Sequence, residues 1–209
     1  MNDVAPRISR RRAALTVVTG LVGAGAATGA LWSVLAPPVH GVVALTRAGD
    51  RVRAYLGGEA DHFFTSAFLF VGMLSVVGVV AAVLLWQWRA HRGPVLVAAL
   101  AAGGAAAATV AAGVGAPLMH VRYGTVDVDG APVTPERRVH YVVEAPAVFF
   151  GHTPLQIACS LVFPAALGAL VYAMCAVTTS RDDLGGWPPQ EYQPVHPGGR
   201  SAANSSVTR

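Results

Sequence analysis

GEADHFFTSAFLFVGMLSVVGVVAAVLLWQWR, residues Gly58–Arg89, is the stretch that decides the fold. Two carboxylates and a histidine stand at its start, and an arginine stands at its end. Between Phe63 and Trp88 there is no Asp, Glu, Arg, Lys or His. As a helix rising about 1.5 Å per residue, this run reaches beyond the roughly 30 Å of a bilayer's hydrocarbon core. It is apolar on every face, so it lacks the polar stripe that a surface helix of a soluble protein carries. The reading is a membrane-spanning helix over residues 63–88.

Three more runs share this character. They predict spans over 13–36, 94–118 and 153–178, the last with its apolar stretch from Pro154 to Val177. None contains Asp, Glu, Arg or His in its interior. The composition agrees: 54% of the 209 residues are hydrophobic and only 12% charged, against about 25% charged in soluble domains. The pI near 9.6 raises nucleic acid as a partner. The arginines nevertheless lie in short groups between apolar runs, with no basic face interleaved with aromatics, so nucleic acid is not expected.

Arginine placement orients the spans. Arg7, Arg10, Arg11 and Arg12 lie in the N-terminal segment 1–12, Arg89 and Arg92 in the tight link 89–93, and Arg181 after the fourth span. The expectation is a multi-pass plasma-membrane protein with both termini cytoplasmic and Trp86 and Trp88 in the inner interfacial belt. Ser9-Arg10-Arg11-Arg12-Ala13-Ala14-Leu15 resembles a twin-arginine export signal. No small-x-small cleavage site follows the run, which ends Leu35-Ala36-Pro37-Pro38, so an uncleaved anchor is expected.

Two extracytoplasmic segments remain, 37–62 and 119–152. In the first, valines alternate on both sides of Ala48-Gly49-Asp50, which predicts a β-hairpin. In the second, HVRYGTVDVDG and RRVHYVVEAPAVFF predict another hairpin, turning at Asp129-Gly130-Ala131-Pro132. A lone hairpin is marginal in water, so the two are expected to pair into one small sheet. Residues 179–209 are rich in Pro, Gly and Ser and are expected to be a disordered cytoplasmic tail. The fold class is thus an all-α membrane protein: four transmembrane helices, a β-hairpin-rich extracytoplasmic cap and a disordered tail.

The acids before the second span have a simple reading as a helix start. Asp61 suits the N-cap, and Glu59 and Asp61 lie near the positive end of the helix dipole. At the fourth span Thr153 suits the cap and Pro154 the first helical position. A second reading comes from the histidines. His40, His62, His120 and His152 each mark a predicted outer helix end, and His140 lies in an outer loop. Glu59, Asp61, His62, His120 and His152 are therefore candidate ligands for Zn²⁺ or Cu²⁺, or an acid–base group. No HxxxH or CxxC spacing accompanies them, and no cofactor is expected on the leading reading. Cys159 and Cys175 lie sixteen positions apart in one span, about 24 Å along a helix, too far for a disulfide; a buried structural role is expected. Ser75, Ser160 and Thr109 are expected to bond to backbone carbonyls of their own helices.

Small residues mark helix faces. Gly25 and Gly29 form a GxxxG in the first span, and Gly103 and Gly104 precede Ala107 and Ala108 in the third. Such faces let backbones approach closely, either inside one bundle or against another subunit.

A basic N-terminus, a span ending Leu35-Ala36-Pro37, a short outer hairpin, the step Glu59-x-Asp61-x-x-Phe64 and the link Trp86-x-Trp88-Arg89 together resemble a family of small actinobacterial four-span membrane proteins of unknown function. The resemblance implies a plasma-membrane location and brings no activity. The leading expectation is a non-enzymatic envelope accessory subunit whose outer loops bind another membrane or envelope protein, besides the lipid bilayer itself. The alternatives are a metal or acid–base site at the outer surface, and a transporter or channel subunit. The last is disfavoured because ionisable groups, which mark ion pathways, are missing from the spans.

Overall fold

The computed structural model describes residues 8–180 and Leu184. The elements run α1 Arg10–Leu35, β1 Val39–Leu45, β2 Arg51–Tyr55, α2 Asp61–Gln87, a single turn Arg89–His91, α3 Pro94–Tyr123, β3 Val139–Glu144 and α4 Pro154–Val177. All four helices are long and apolar enough to cross a membrane. The expected tail falls almost wholly outside the described residues.

Local chemistry sets the helix ends. Ser9 caps α1 by accepting the Arg12 N–H at 3.3 Å. The helix stops before Pro37 and Pro38, and the Ala36 N–H closes on the Trp32 carbonyl at 2.8 Å. Pro94 opens α3 from Gly93, and Gly124, at φ +73°, ends it. In α4 a reciprocal capping box forms: the Thr153 hydroxyl accepts the Gln156 backbone N–H, and the Gln156 side-chain Oε1 accepts the Thr153 N–H at 3.2 Å.

α1 packs chiefly on α3, and α4 packs on both α2 and α3. Glycines allow the close crossings. A Cβ on Gly25 or Gly29 would run into the backbone of Ala107 or Ala111 on α3. One on Gly103 would meet Val18 and Leu21 of α1, and one on Gly104 would meet Ala165 of α4. The α2–α4 crossing uses Gly78 against Pro164 and Gly168, a pair that the sequence reading passed over. Near the sheet the core gathers Trp32, Phe70, Leu74, Met119 and Val148. At the opposite end it gathers Val17, Leu21, Leu96, Leu100 and Tyr172.

β1 is the centre of a three-stranded antiparallel sheet in the order β2-β1-β3. The first hairpin closes through residues 46–50. There the Thr46 N–H donates to Asp50 O at 2.9 Å, and Gly49 takes φ +94°. The second expected hairpin is not formed. Val121, Arg122 and Tyr123 continue α3 rather than begin a strand, because Pro117 is accommodated within the helix and the stop signal is Gly124. Asp127 then folds its own loop, its Oδ1 accepting the N–H groups of Asp129 and Gly130 at 3.1 and 3.0 Å. Only β3 remains of that hairpin, and its partner is β1.

Two smaller expectations are also corrected. Cys159 is exposed and not buried, while Cys175 is half-buried. Ser160 and Thr109 donate to Gln156 O and Ala105 O, each at 2.9 Å. The buried Ser75 hydroxyl, by contrast, has no partner among the described residues.

Candidate functional site

The richest cluster of polar side chains lies where the sheet meets the start of α2. The chain leaves β2 through Gly57, at φ +51°, and winds through successive tight turns. The Glu59 N–H donates to Leu56 O at 2.9 Å, the Asp61 N–H to Gly58 O at 3.0 Å and the His62 N–H to Glu59 O at 3.0 Å. These turns already place Ala60 in helical geometry as the cap residue. Asp61 is therefore the first helical residue and makes no side-chain cap bond. Its carboxylate still lies at the positive end of the α2 dipole.

Glu59 faces back across the hairpin. Its Oε2 accepts the His40 backbone N–H and the His40 Nδ1–H, both at 2.9 Å. His62 Nδ1 lies 3.0 Å from the same oxygen and 2.9 Å from Pro38 O. Both of those atoms only accept, so the His62 proton sits on Nδ1. One carboxylate oxygen thus joins two imidazoles and fixes both as Nδ1–H tautomers. The cluster fastens the entry to β1 onto the first turn of α2. Aromatic packing supports the junction, with the Tyr55 and Phe63 rings 5.4 Å apart edge to face.

The carboxyl of Glu59 is held below its ordinary range, first by the His40 backbone N–H, then by the His40 ring, with a smaller contribution from His62. A carboxyl whose pKa falls on folding stabilises the fold above its unfolded value. That contribution is lost as pH drops through the lowered folded value. Thermal melting of the detergent-solubilised protein should therefore show a loss of stability below about pH 4.5, the ordinary value for this group. Glu59→Gln should melt lower at neutral pH and lack that acid-dependent component. Identical acid limbs for the two proteins would show that the junction adds nothing to stability.

A second polar pair lies on the inner face of the sheet. Glu144, 9% exposed, accepts from Arg53 Nη1 at 2.7 Å across the central strand. The Arg53 guanidinium sits 5.7 Å from the Tyr55 ring centre. Burial, then the neighbouring Glu144 carboxylate, pushes the Tyr55 phenol up. Gly41 lies between Tyr55 and Val142 in the register, and a Cβ there would crowd Ala54 O.

Of the five candidate ligands, Glu59 and His62 are in contact. The other three lie apart. Asp61 is exposed on the first turn of α2. His120 is exposed on α3, its Nδ1 donating to Ala116 O at 2.8 Å on its own helix. His152 lies in the exposed loop before α4. Among the described residues no three His, Cys, Asp or Glu side chains are grouped to hold a metal ion. Sequence reasoning left His40 outside the ligand set, because its place beside Glu59 depends on the hairpin closing. It also missed the Arg53–Glu144 pair. Strand alternation alone puts Arg53 on the face of Tyr55, which was a usable signal.

Comparison with known proteins finds a family and relatives but names no activity. The family model described as "Protein of unknown function (DUF2567)" matches residues 21–186. Uncharacterized protein Rv1591 of Mycobacterium tuberculosis is 52% identical over 170 residues, which cover 81% of this chain and 88% of that protein. Uncharacterized protein Mb1617 of Mycobacterium bovis matches to the same extent. Uncharacterized protein ML1222 of Mycobacterium leprae is 49% identical over 177 residues, 85% of this chain and 89% of that protein. No solved structure matches. With four long apolar helices, a small sheet at one end and relatives that align along most of its length, the chain belongs to the DUF2567 family of unknown function.

Proposed function

We propose that the protein is a multi-pass plasma-membrane protein with both termini cytoplasmic, and that it acts without catalysis, as an interaction subunit. Its extracytoplasmic sheet offers an apolar face to another envelope protein. Charge supports the orientation. The start of α1 and the short turn between α2 and α3 carry Arg10, Arg11, Arg12, Arg89 and Arg92 with no acid among the described residues, while the sheet end mixes six arginines with all seven described Asp and Glu. Arginine retained on the cytoplasmic side is the usual pattern.

The observation that carries the interaction reading is the outer sheet face. Strand alternation turns Val39 and Val43, both 0% exposed, inward. The same alternation turns Val52, Val139, Tyr141 and Val143 outward, 39 to 71% exposed. The register places Ala44 between Val52 and Val139, and Val42 between Ala54 and Tyr141. A contiguous apolar face outside the hydrocarbon region marks an interaction surface more often than a bare one.

A photo-crosslinking residue at Val143, in membranes of the native host, tests this. One discrete protein adduct is expected, and Tyr141→Asp should abolish it while the protein stays in the carbonate-washed membrane pellet. No adduct, or an adduct indifferent to Tyr141→Asp, would overturn the interaction reading. Release of the protein by carbonate would overturn the membrane placement.

A further inference from the structure

Trp32 of α1 donates its Nε1–H to Ser66 O of α2 at 2.8 Å near the sheet. Towards the arginine end the two helices part. The space between them is a groove of about 510 Å³, lined among others by Thr16, Gly20 and Ala24 of α1 and Val80, Leu84 and Trp88 beyond α1. It is apolar throughout. The Thr16 hydroxyl is engaged internally, donating to Arg12 O at 2.9 Å. A hollow of about 660 Å³ shares Thr16 and Gly20 with the groove and extends it to Arg12. Volumes of this size hold small ligands.

The mouth is basic and structured. His91 is buried, donates from Nε2 to Ile8 O at 3.1 Å and packs tilted against the Trp88 ring with centroids 4.5 Å apart, so the link is fastened to the start of α1. Arg92 lies 4.1 Å over the Trp86 ring and donates to Trp86 O and Leu184 O at 2.8 and 3.0 Å. Arg12, exposed, lines the hollow, and Arg89, also exposed, directly follows the groove-lining Trp88 in the chain. No Asp or Glu of the described residues lies at this end to offset them.

We propose that the groove between α1 and α2 holds an acyl chain of an anionic phospholipid, with Arg12 and Arg89 at its phosphate. The proposal rests on the membrane placement given above, which turns the groove towards the lipid. Charge selects the occupant. A second copy of the chain on the same face would bring its own Arg12 and Arg89 against these two. An anionic headgroup instead meets an end with no described acid, and basic residues near a surface attract anionic lipid additively. Trp88 beside the mouth suits the headgroup level, where amphipathic rings settle.

The test uses the full chain in mild detergent, mixed with equal amounts of phosphatidylglycerol and phosphatidylcholine carrying distinguishable chains, and read by native mass spectrometry. One retained phosphatidylglycerol is expected, favoured on the order of 10-fold. Gly20→Trp should remove it: a Cβ at Gly20 meets no atom within 4 Å, so the new ring enters the groove. Arg12→Gln with Arg89→Gln should bring phosphatidylglycerol down to the phosphatidylcholine level. This surface variant keeps the test decisive where Gly20→Trp fails to fold. Equal retention of the two lipids overturns the proposal. So does a lipid adduct unaffected by either variant, or a dimer that Gly20→Trp dissolves, which would seat a second copy in the groove. Carbonate release of the protein from membranes removes this proposal together with the membrane placement. A membrane-retained protein without lipid selectivity removes this one alone.

Discussion

Gly29→Val should lower the thermal midpoint of the detergent-solubilised protein sharply, by the equivalent of about 3 kcal/mol, the upper end of the cost of overpacking. The reason is backbone contact. Gly25 and Gly29 of α1 lie on the main chain of Ala107 and Ala111, and Gly115 of α3 lies against Gly29 O and the Trp32 ring. A flexible side-chain tip can swing aside, but a helix backbone cannot. Valine at position 29 must push α1 from α3 along the tightest crossing of the bundle. Helix propensity works the other way, since glycine costs a helix up to about 1 kcal/mol relative to alanine, and the steric term exceeds it. Gly23→Ala supplies the control in the same helix. A Cβ there meets nothing within 4 Å, so that variant should be neutral or more stable by about 0.5–1 kcal/mol. Equal melting of Gly29→Val and the wild type would show that α1 and α3 do not touch at this crossing.

The four helices were legible because long uncharged runs leave few alternatives, and Ser9, Pro37, Pro94 and Thr153 mark ends through chemistry that acts within one turn. α3 ran five residues past its expected end. Val121 and Tyr123 favour strands, but a helix already formed continues until something stops it, and the stop is Gly124. The sheet was half legible. The β1–β2 hairpin is local, whereas β3 pairs with β1 from nearly a hundred residues away, and no short-range pattern selects that partner. The polar cluster divides in the same way. Glu59 and His62 are three positions apart and meet on the first turn of α2. His40 joins them only when the hairpin closes. Glu144 finds Arg53, 91 residues distant, only after the strand order is set.

Trp32→Ala is expected to cost about 3 kcal/mol, and Trp32→Phe about 1 kcal/mol. Trp32 is fully buried, packs edge to face on Phe70 with centroids 5.8 Å apart, and donates to Ser66 O at 2.8 Å. Alanine removes the ring, the aromatic contact and the only described side-chain hydrogen bond from α1 to α2. Large-to-small changes in soluble cores cost about 3–5 kcal/mol for an aromatic. In a bilayer the transfer component shrinks, because lipid tails are as apolar as Leu and association rests on packing and hydrogen bonds. That places the expected loss at the lower end of the range. Phenylalanine keeps most of the packing and deletes the donor, while Ser66 O retains its helical partner, so the smaller loss isolates the hydrogen bond. The order of melting temperatures should be wild type, then Trp32→Phe, then Trp32→Ala. If the two variants melt together, the indole N–H and not the ring volume holds α1 to α2 at the sheet end. The groove towards the arginine end would then hang on that one hydrogen bond.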